Sequence, residues 1–110
     1  MIKPNFYKTI VIDAKNRNVY EKECCSLENL QEVVEGYIEL ACHFPNGDIL
    51  YVNEEGRLKG IDYFFIIEGG NQPYAGNGVI TGSRGPDANS YKSKIETIRK
   101  QVKFLDRRSK

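Results

Sequence analysis

Short runs of β-branched and aromatic residues, separated by turn-forming residues, recur along most of the chain. This pattern is typical of β-strands. Asn46 and Gly47 lie between two such runs and favour a tight hairpin. The pattern predicts strands over residues 7–13, 19–24, 37–44, 49–52 and 79–81, and a central strand or a buried segment over residues 61–67.

A short helix is predicted near residues 27–35, where Leu27, Leu30 and Val34 recur at helical spacing. Ser26 is the expected N-cap, and Gly36 stands where a helix C-cap belongs. We therefore expect a helix of about ten residues.

A longer amphipathic helix is predicted near residues 90–106, capped by Asn89 or Ser90. Its apolar residues are spaced by three and four positions, as on one face of a helix. That face packs either on the chain's own sheet or on a partner subunit. The stripe consists of Tyr91, Ile95, Ile98, Val102 and Leu105. Together these elements predict an α+β fold with an antiparallel sheet of about five strands and two helices.

The 110-residue length and 40% hydrophobic content predict one globular domain over residues 1–110. No apolar run approaches the ~20 residues of a transmembrane helix, and the first residues do not resemble a signal peptide. We therefore expect a cytoplasmic protein without a membrane partner. Three cysteines, two of them adjacent, make a poor disulfide or metal framework, so neither a metal nor a cofactor is expected.

Charge is unevenly distributed along the chain. The formal net charge is +1, but residues 89–110 alone carry +6, which leaves −5 for the rest. Such a basic segment can dock on a second subunit, attract a phosphate-bearing ligand or simply face solvent. Because its basic residues are not interleaved with several aromatic residues, a nucleic-acid partner is not favoured.

Six of the ten glycines lie between Gly69 and Gly85. Glycine lets a backbone approach a ligand closely, and long loops in small domains are often functional. This segment is therefore either a ligand-contacting loop or a mobile connector. The candidate ligand-binding residues lie in it or near it: Arg57, Tyr74, Asn77, Arg84, Asp87, Asn89 and Lys92.

These side chains suit a nucleotide. The Arg84 guanidinium can bind a phosphate or stack on a base, Asp87 can accept hydrogen bonds from a ribose, and Tyr74 can stack on a base. Local roles remain open, because Arg84 can pair with Asp87 while Asn89 caps the following helix. No phosphate-binding loop, metal-ligand cluster or nucleophile motif is present, so we expect binding without catalysis.

Two blocks of sequence resemble a small domain family of uncharacterised function that phages, plasmids and their bacterial hosts carry. The first block is L-x-x-L-Q-x-x-V-x-G-Y-I-E, from Leu27 to Glu39. The second is N-E-E-G-R-L-x-G, from Asn53 to Gly60. Glu35 stands where the family usually has glycine. The resemblance implies an α+β fold and a mobile-element origin, and it supplies no activity.

In size, and in its loop with Tyr74, Arg84, Asp87 and Asn89, the chain is also similar to viral sponge proteins. Those proteins sequester the nucleotide signals of Thoeris and CBASS immunity in pockets between subunits. This similarity implies a homo-oligomer that binds a cyclic nucleotide or cyclic ADP-ribose type of ligand. The alternative hypothesis is a phage or plasmid accessory protein that binds a host protein through its C-terminal helix.

Overall fold

The computed structural model describes residues 6–56, 60–70, 72–82 and 90–106. Within these ranges the chain forms eight strands and two helices. The helices are α1 (Leu27–Val34) and α2 (Ile95–Gln101). The strands are β1 (Tyr7–Asp13), β2 (Asn18–Cys24), β3 (Ile38–His43), β4 (Ile49–Asn53), β5 (Tyr63–Ile67), β6 (Tyr74–Ala75), β7 (Gly78–Thr81) and β8 (Val102–Asp106).

Five strands form the large sheet, in the order β2-β1-β7-β4-β3. All of its neighbouring strands are antiparallel. The late strand β7 lies between β1 and β4, with Ile80 opposite Ile10 on one side and Leu50 on the other. The three central strands therefore lie far apart in sequence and meet only when the whole chain folds.

The three central strands of the large sheet, β1, β7 and β4, are buried on both faces. Successive side chains in each strand point to opposite faces. On one face Ile49, Tyr51 and Val79 pack with Leu30 and Val34 of α1. On the other face, the side chains in contact come from the large sheet, the small sheet and α2, and include Ile10, Leu50, Ile80, Phe65 and Ile98. The result is three layers, with the large sheet in the middle.

The small sheet has the strand order β6-β5-β8 and is also antiparallel. Its central residue, Phe65, is fully buried against the large sheet. Gly78 makes this contact possible. A Cβ added there would lie 2.7 Å from Cζ of Phe65 and 3.0 Å from Cδ1 of Leu50. A larger residue would push the two sheets apart.

The predicted N-terminal strand and first helix are confirmed. Strand β1 has the predicted bounds, and the Ser26 hydroxyl accepts a hydrogen bond from the Asn29 N–H at the start of α1. The predicted C-cap at Gly36 is shifted by one residue. Glu35 takes the left-handed conformation, with φ of 63°, while the Gly36 N–H donates to the Gln31 carbonyl.

The prediction of a long C-terminal helix is wrong. Residues 90–94 precede a helix of only seven residues, and the chain then continues as β8, antiparallel to β5. Ile98 and Val102, two residues of the predicted apolar stripe, are buried as expected. From Val102 onward, however, Val102 and Phe104 pack on the core while Lys103 and Leu105 are exposed, which is strand periodicity.

The predicted sheet is confirmed in its antiparallel form, but the strands are divided between two sheets. The five predicted strands form the large sheet, and the predicted strand or buried segment over residues 61–67 became β5 of the small sheet. Its two neighbours, β6 and β8, were not predicted. Neither of the described helices is long and apolar enough to cross a membrane.

Candidate functional site

Three of the seven predicted binding residues lie in the described part of the chain: Tyr74, Asn77 and Lys92. The other four, Arg57, Arg84, Asp87 and Asn89, lie outside it. The structure does not bring the three described residues together, because each lines a different cavity.

Tyr74 lies on β6, and its ring packs against Phe65 with 5.5 Å between ring centroids. The cavity beside it has a volume of about 220 Å³, and its charged lining residues are Glu39 and Glu54. Burial raises the pKa of the Tyr74 hydroxyl, and the nearby Cys42 adds to the rise. A half-buried tyrosine beside two carboxylates is a poor setting for an anion.

Asn77 joins two layers of the fold. Its side-chain oxygen accepts a hydrogen bond of 2.9 Å from the Ala14 N–H, and its Nδ2 donates to the Val33 carbonyl at 3.2 Å. These bonds tie the end of β1 to α1. The cavity beside Asn77, about 230 Å³, also carries mixed charge, from Lys22, Glu32 and Glu35. The Asn77 amide therefore has a structural role in the fold.

Lys92 lines the largest of the three cavities, about 330 Å³ in volume. We call it the basic cavity, because its charged lining residues are Lys92 and Lys94, both exposed to solvent. One wall is the hairpin loop before β4, and the other is the segment 92–94 with the first turns of α2. The remaining lining residues are Phe44, Pro45, Asn46, Ser93, Thr97, Ile98 and Gln101.

Asp48 holds these two walls together. It is fully buried, and its carboxylate accepts hydrogen bonds from the Lys92 N–H at 2.9 Å and the Ser93 N–H at 2.8 Å. The Ser93 hydroxyl also donates to it, at 2.6 Å. A buried carboxylate is tolerated only when such bonds replace water. Sequence reasoning missed this residue, because Asp in Pro-Asn-Gly-Asp indicates only a turn.

The cavity beside Tyr74 and the basic cavity lie toward opposite ends of the large sheet. The basic cavity is at the end where β4 begins and β7 finishes, with Ile49 opposite Thr81. The cavity beside Tyr74 is at the other end, where β4 finishes at Asn53. The length of β7 separates them, about 10 Å of strand.

Arg84, Asp87 and Asn89 belong to the segment 83–89, outside the described residues, but the residues on both sides of it are described. Gly82 follows the last residue of β7, and the Ser90 hydroxyl accepts a hydrogen bond from the Lys8 N–H in β1. Tyr91 N–H donates to the Lys8 carbonyl. Both flanks therefore lie at the same end of the large sheet as the basic cavity.

The second resemblance block has structural roles where it is described. Nδ2 of Asn53 donates to the carbonyls of Val34 and Glu35, both at 3.1 Å. A Cβ at Gly56 would lie 2.8 Å from the Ala75 carbonyl oxygen. The block thus connects the end of α1 to β4 and brings a loop against β6.

A family model described as "Domain of unknown function (DUF3846)" matches residues 7–103. The chain belongs to the DUF3846 family. This agrees with the resemblance to a small uncharacterised domain family. Comparisons with curated proteins and with solved structures gave no match, and no finding links this DUF3846 domain to the sponge proteins.

Two of the three thiols of this DUF3846 domain, those of Cys24 and Cys42, are poorly suited to nucleophilic chemistry. Burial raises the pKa of Cys24, which lies 3.7 Å from the Thr9 hydroxyl, and burial also raises the pKa of Cys42. A raised pKa disfavours the reactive thiolate. In the described ranges no three His, Cys, Asp or Glu side chains are grouped as metal ligands. The basic cavity instead offers positive charge, hydrogen-bond donors and an apolar wall.

Proposed function

We propose that this DUF3846 domain binds a small anion of the nucleotide class, without catalysis, in the basic cavity. The observation that carries the proposal is the composition of the cavity lining. Two exposed lysines, Lys92 and Lys94, line the cavity together with a loop that supplies Phe44 and Pro45. A nucleotide has the matching character, with charged phosphates at one end and a flat, largely apolar base at the other.

The physical chemistry of the cavity supports this ligand class. Lysine ammonium groups bind phosphate as point charges, and a cavity of about 330 Å³ lies in the range of small-molecule sites. Lys92 and Lys94 are exposed to solvent, so their attraction is screened by salt. We therefore expect modest affinity from charge alone, to which the apolar wall adds.

The finer proposal is a phage-type sponge. In it, the ligand is a cyclic nucleotide or cyclic ADP-ribose type of immune signal, sequestered in the host cytoplasm by a homo-oligomer. One support comes from the sequence, which is similar to sponge proteins in size and loop composition. The other is that Arg84 and Asp87 belong to a segment whose two flanking residues, Gly82 and Ser90, lie at the same end of the large sheet as the basic cavity.

The alternative, binding of a host protein through the C-terminal helix, has less support. Most of the apolar stripe that was expected to meet a partner packs inside the domain. Ile98 and Val102 are buried, and Tyr91 and Ile95 pack against the same core. Leu105, which is 42% exposed, lies on β8 rather than on a helix.

The first prediction tests the basic cavity directly. We expect at least one member of a panel of linear and cyclic nucleotides to raise the melting temperature of the wild-type protein by several degrees, because a ligand of the folded state stabilises it by mass action. Lys92→Ala with Lys94→Ala should abolish the shift. Calorimetry would confirm the affinity, and chromatography after heating should recover the ligand intact.

Lys15→Ala with Lys103→Ala is the matched control, because it removes the same charge from exposed positions outside the cavity lining. This variant should keep most of the shift. No shift with any nucleotide would refute binding, equal losses in the two double variants would refute the cavity, and altered ligand after heating would refute the non-catalytic assignment.

A further inference from the structure

Two consecutive main-chain N–H groups, those of Lys92 and Ser93, point at one carboxylate, that of Asp48. Successive N–H groups converging on one point form the arrangement with which proteins hold anions. Here the anion is a side chain of the protein itself. The Ser93 hydroxyl completes the set of donors, and the Asp48 carboxylate is fully buried beneath them.

We propose that Asp48 is the positioning residue of the basic cavity: a buried internal anion that fixes the main chain of residues 92–93 and so places Lys92 and Lys94. The proposal rests on the proposed function, since it assigns Asp48 a role at the same cavity. Asp48 does not line the cavity and acts through the lysines.

The contacts around Asp48 explain how one carboxylate fixes both walls. In the loop wall, the Asp48 N–H donates to Oδ1 of Asn46, and the Asp48 carbonyl accepts from the Phe44 N–H. Across the gap, Nδ2 of Asn46 donates to the Ser93 hydroxyl at 3.0 Å. Asp48 and Asn46 therefore join the loop to segment 92–94 at adjacent points.

The other end of this segment is held by α2. The Lys94 carbonyl accepts from the N–H groups of Thr97 and Ile98, and the Ile98 side chain is buried in the core. Lys92 and Lys94 therefore lie on a short stretch of backbone fixed on one side by Asp48 and on the other by the first turn of the helix.

This arrangement also determines how a ligand is recognised. The N–H groups of Lys92 and Ser93 are already bonded to Asp48, so a phosphate in the cavity meets the lysine side chains rather than that main-chain arrangement. Side-chain ammonium groups recognise charge more than shape. Inorganic pyrophosphate, which carries the charge without a base, is therefore a suitable probe of the lysine placement.

The second prediction is that Asp48→Asn loosens this segment and weakens binding. An asparagine keeps one oxygen but directs an NH₂ group at N–H donors, so at least one bond is lost. We expect hydrogen exchange at the Lys92 and Ser93 amides to speed up at least tenfold relative to the core amide of Ile80. Pyrophosphate affinity, measured by calorimetry at low salt and well below the melting temperature, should fall at least fivefold.

Asn53→Ala is the matched control. Asn53 is also buried and also joins a strand end to a neighbouring segment, but at the opposite end of β4. The Asn53→Ala variant should lower the melting temperature. Its pyrophosphate affinity should stay within twofold of the wild-type value, and hydrogen exchange at Lys92 and Ser93 should be unchanged. This comparison separates positioning from a general loss of stability.

The proposal is overturned if Asp48→Asn folds and leaves hydrogen exchange at Lys92 and Ser93 unchanged. It is also overturned if that exchange becomes faster while pyrophosphate affinity stays the same. Equal affinity losses in Asn53→Ala would also overturn it. If Asp48→Asn does not fold, Ser93→Ala removes one donor to the carboxylate and should give smaller changes in the same direction; no change would count against the proposal. If the wild type binds neither nucleotides nor pyrophosphate, the proposed function fails, while exchange still decides whether Asp48 fixes the segment.

Discussion

Glu35 ends α1 in the left-handed backbone region, with φ of 63°. A side chain with a Cβ pays a conformational penalty there, roughly 1–2 kcal/mol, whereas glycine does not. The C-terminal end of α1 is thus a position where local backbone preference and the sequence disagree.

The third prediction is that Glu35→Gly stabilises the protein. The gain should be about 1 kcal/mol, because relief of the left-handed strain is partly offset by the greater freedom of glycine in the unfolded chain. Urea denaturation measures it. Glu32→Gly, an exposed position inside the same helix, should instead cost about 1 kcal/mol. A loss of stability in Glu35→Gly would show that the glutamate side chain contributes more than its backbone strain costs.

Tyr91 makes a hydrogen bond whose contribution to stability depends on pH. Its hydroxyl donates a hydrogen bond to the Glu21 carboxylate on β2. This bond, with burial and the charges of Glu21 and Glu96, raises the pKa of Tyr91 to about 12. The ordinary value is near 10. Between these values the folded state keeps a proton that the unfolded state has lost, so the stabilisation is complete below pH 10 and disappears as the pH rises through 12.

The fourth prediction follows from that sign. Tyr91→Phe should cost about 1 kcal/mol near neutral pH, the worth of one hydrogen bond, and the cost should shrink toward zero between pH 10 and 12. Denaturation of both proteins across this range measures the difference, which cancels the contributions of Tyr7, Tyr20 and Tyr74, whose pKa values burial also raises. Glu21→Gln, which removes the charge, should flatten the same pH dependence. A cost independent of pH would contradict the assignment.

At the scale of elements, the sequence was informative where the determining interactions are local. The strand β1 and the Ser26 cap depend on neighbouring residues, and both were predicted. The same holds for the Asn46–Gly47 turn. The helix predicted over 90–106 was wrong because Ile95, Ile98 and Val102 fit helical spacing while the edge of β5, distant in the sequence, offers β8 backbone hydrogen bonds. Pairing of that kind leaves no trace in a local pattern.

The candidate site illustrates the same limit. Lys92 was predicted as a binding residue from charge alone, and it lines the basic cavity. Asp48 was not, because only the fold brings it to residues 92–93, more than forty positions away in the chain. Tyr74 and Lys92 were grouped because they are close to one glycine-rich segment, yet the four residues of β7 lie between them and carry the chain from one end of the sheet to the other.

At the scale of the whole molecule, the packing of the two sheets depends on one close contact. Phe65, from the small sheet, lies over Gly78 at the start of β7, the middle strand of the large sheet. Its ring packs with Tyr74 on one side, and Phe65 shares a core cluster with Leu50, Ile80 and Ile98. Gly78 is the first residue of β7 and pairs with Val52. The contact therefore lies near the end of the large sheet that carries the cavity beside Tyr74, and it sets the distance between the two sheets there.

The fifth prediction tests that contact. Gly78→Ala places a methyl group 2.7 Å from the Phe65 ring and 3.0 Å from Leu50, in a region where neither side chain can move into solvent. Overpacking of this kind costs about 1–3 kcal/mol, and urea denaturation should show a loss near the upper end of that range. Phe65→Leu creates space at the same point, so the double variant should be more stable than the sum of the two single losses predicts. Additive losses would contradict this account. They would mean that β7 moves to accommodate the added methyl group, and that the surrounding core, rather than the contact between Phe65 and Gly78, sets the distance between the two sheets.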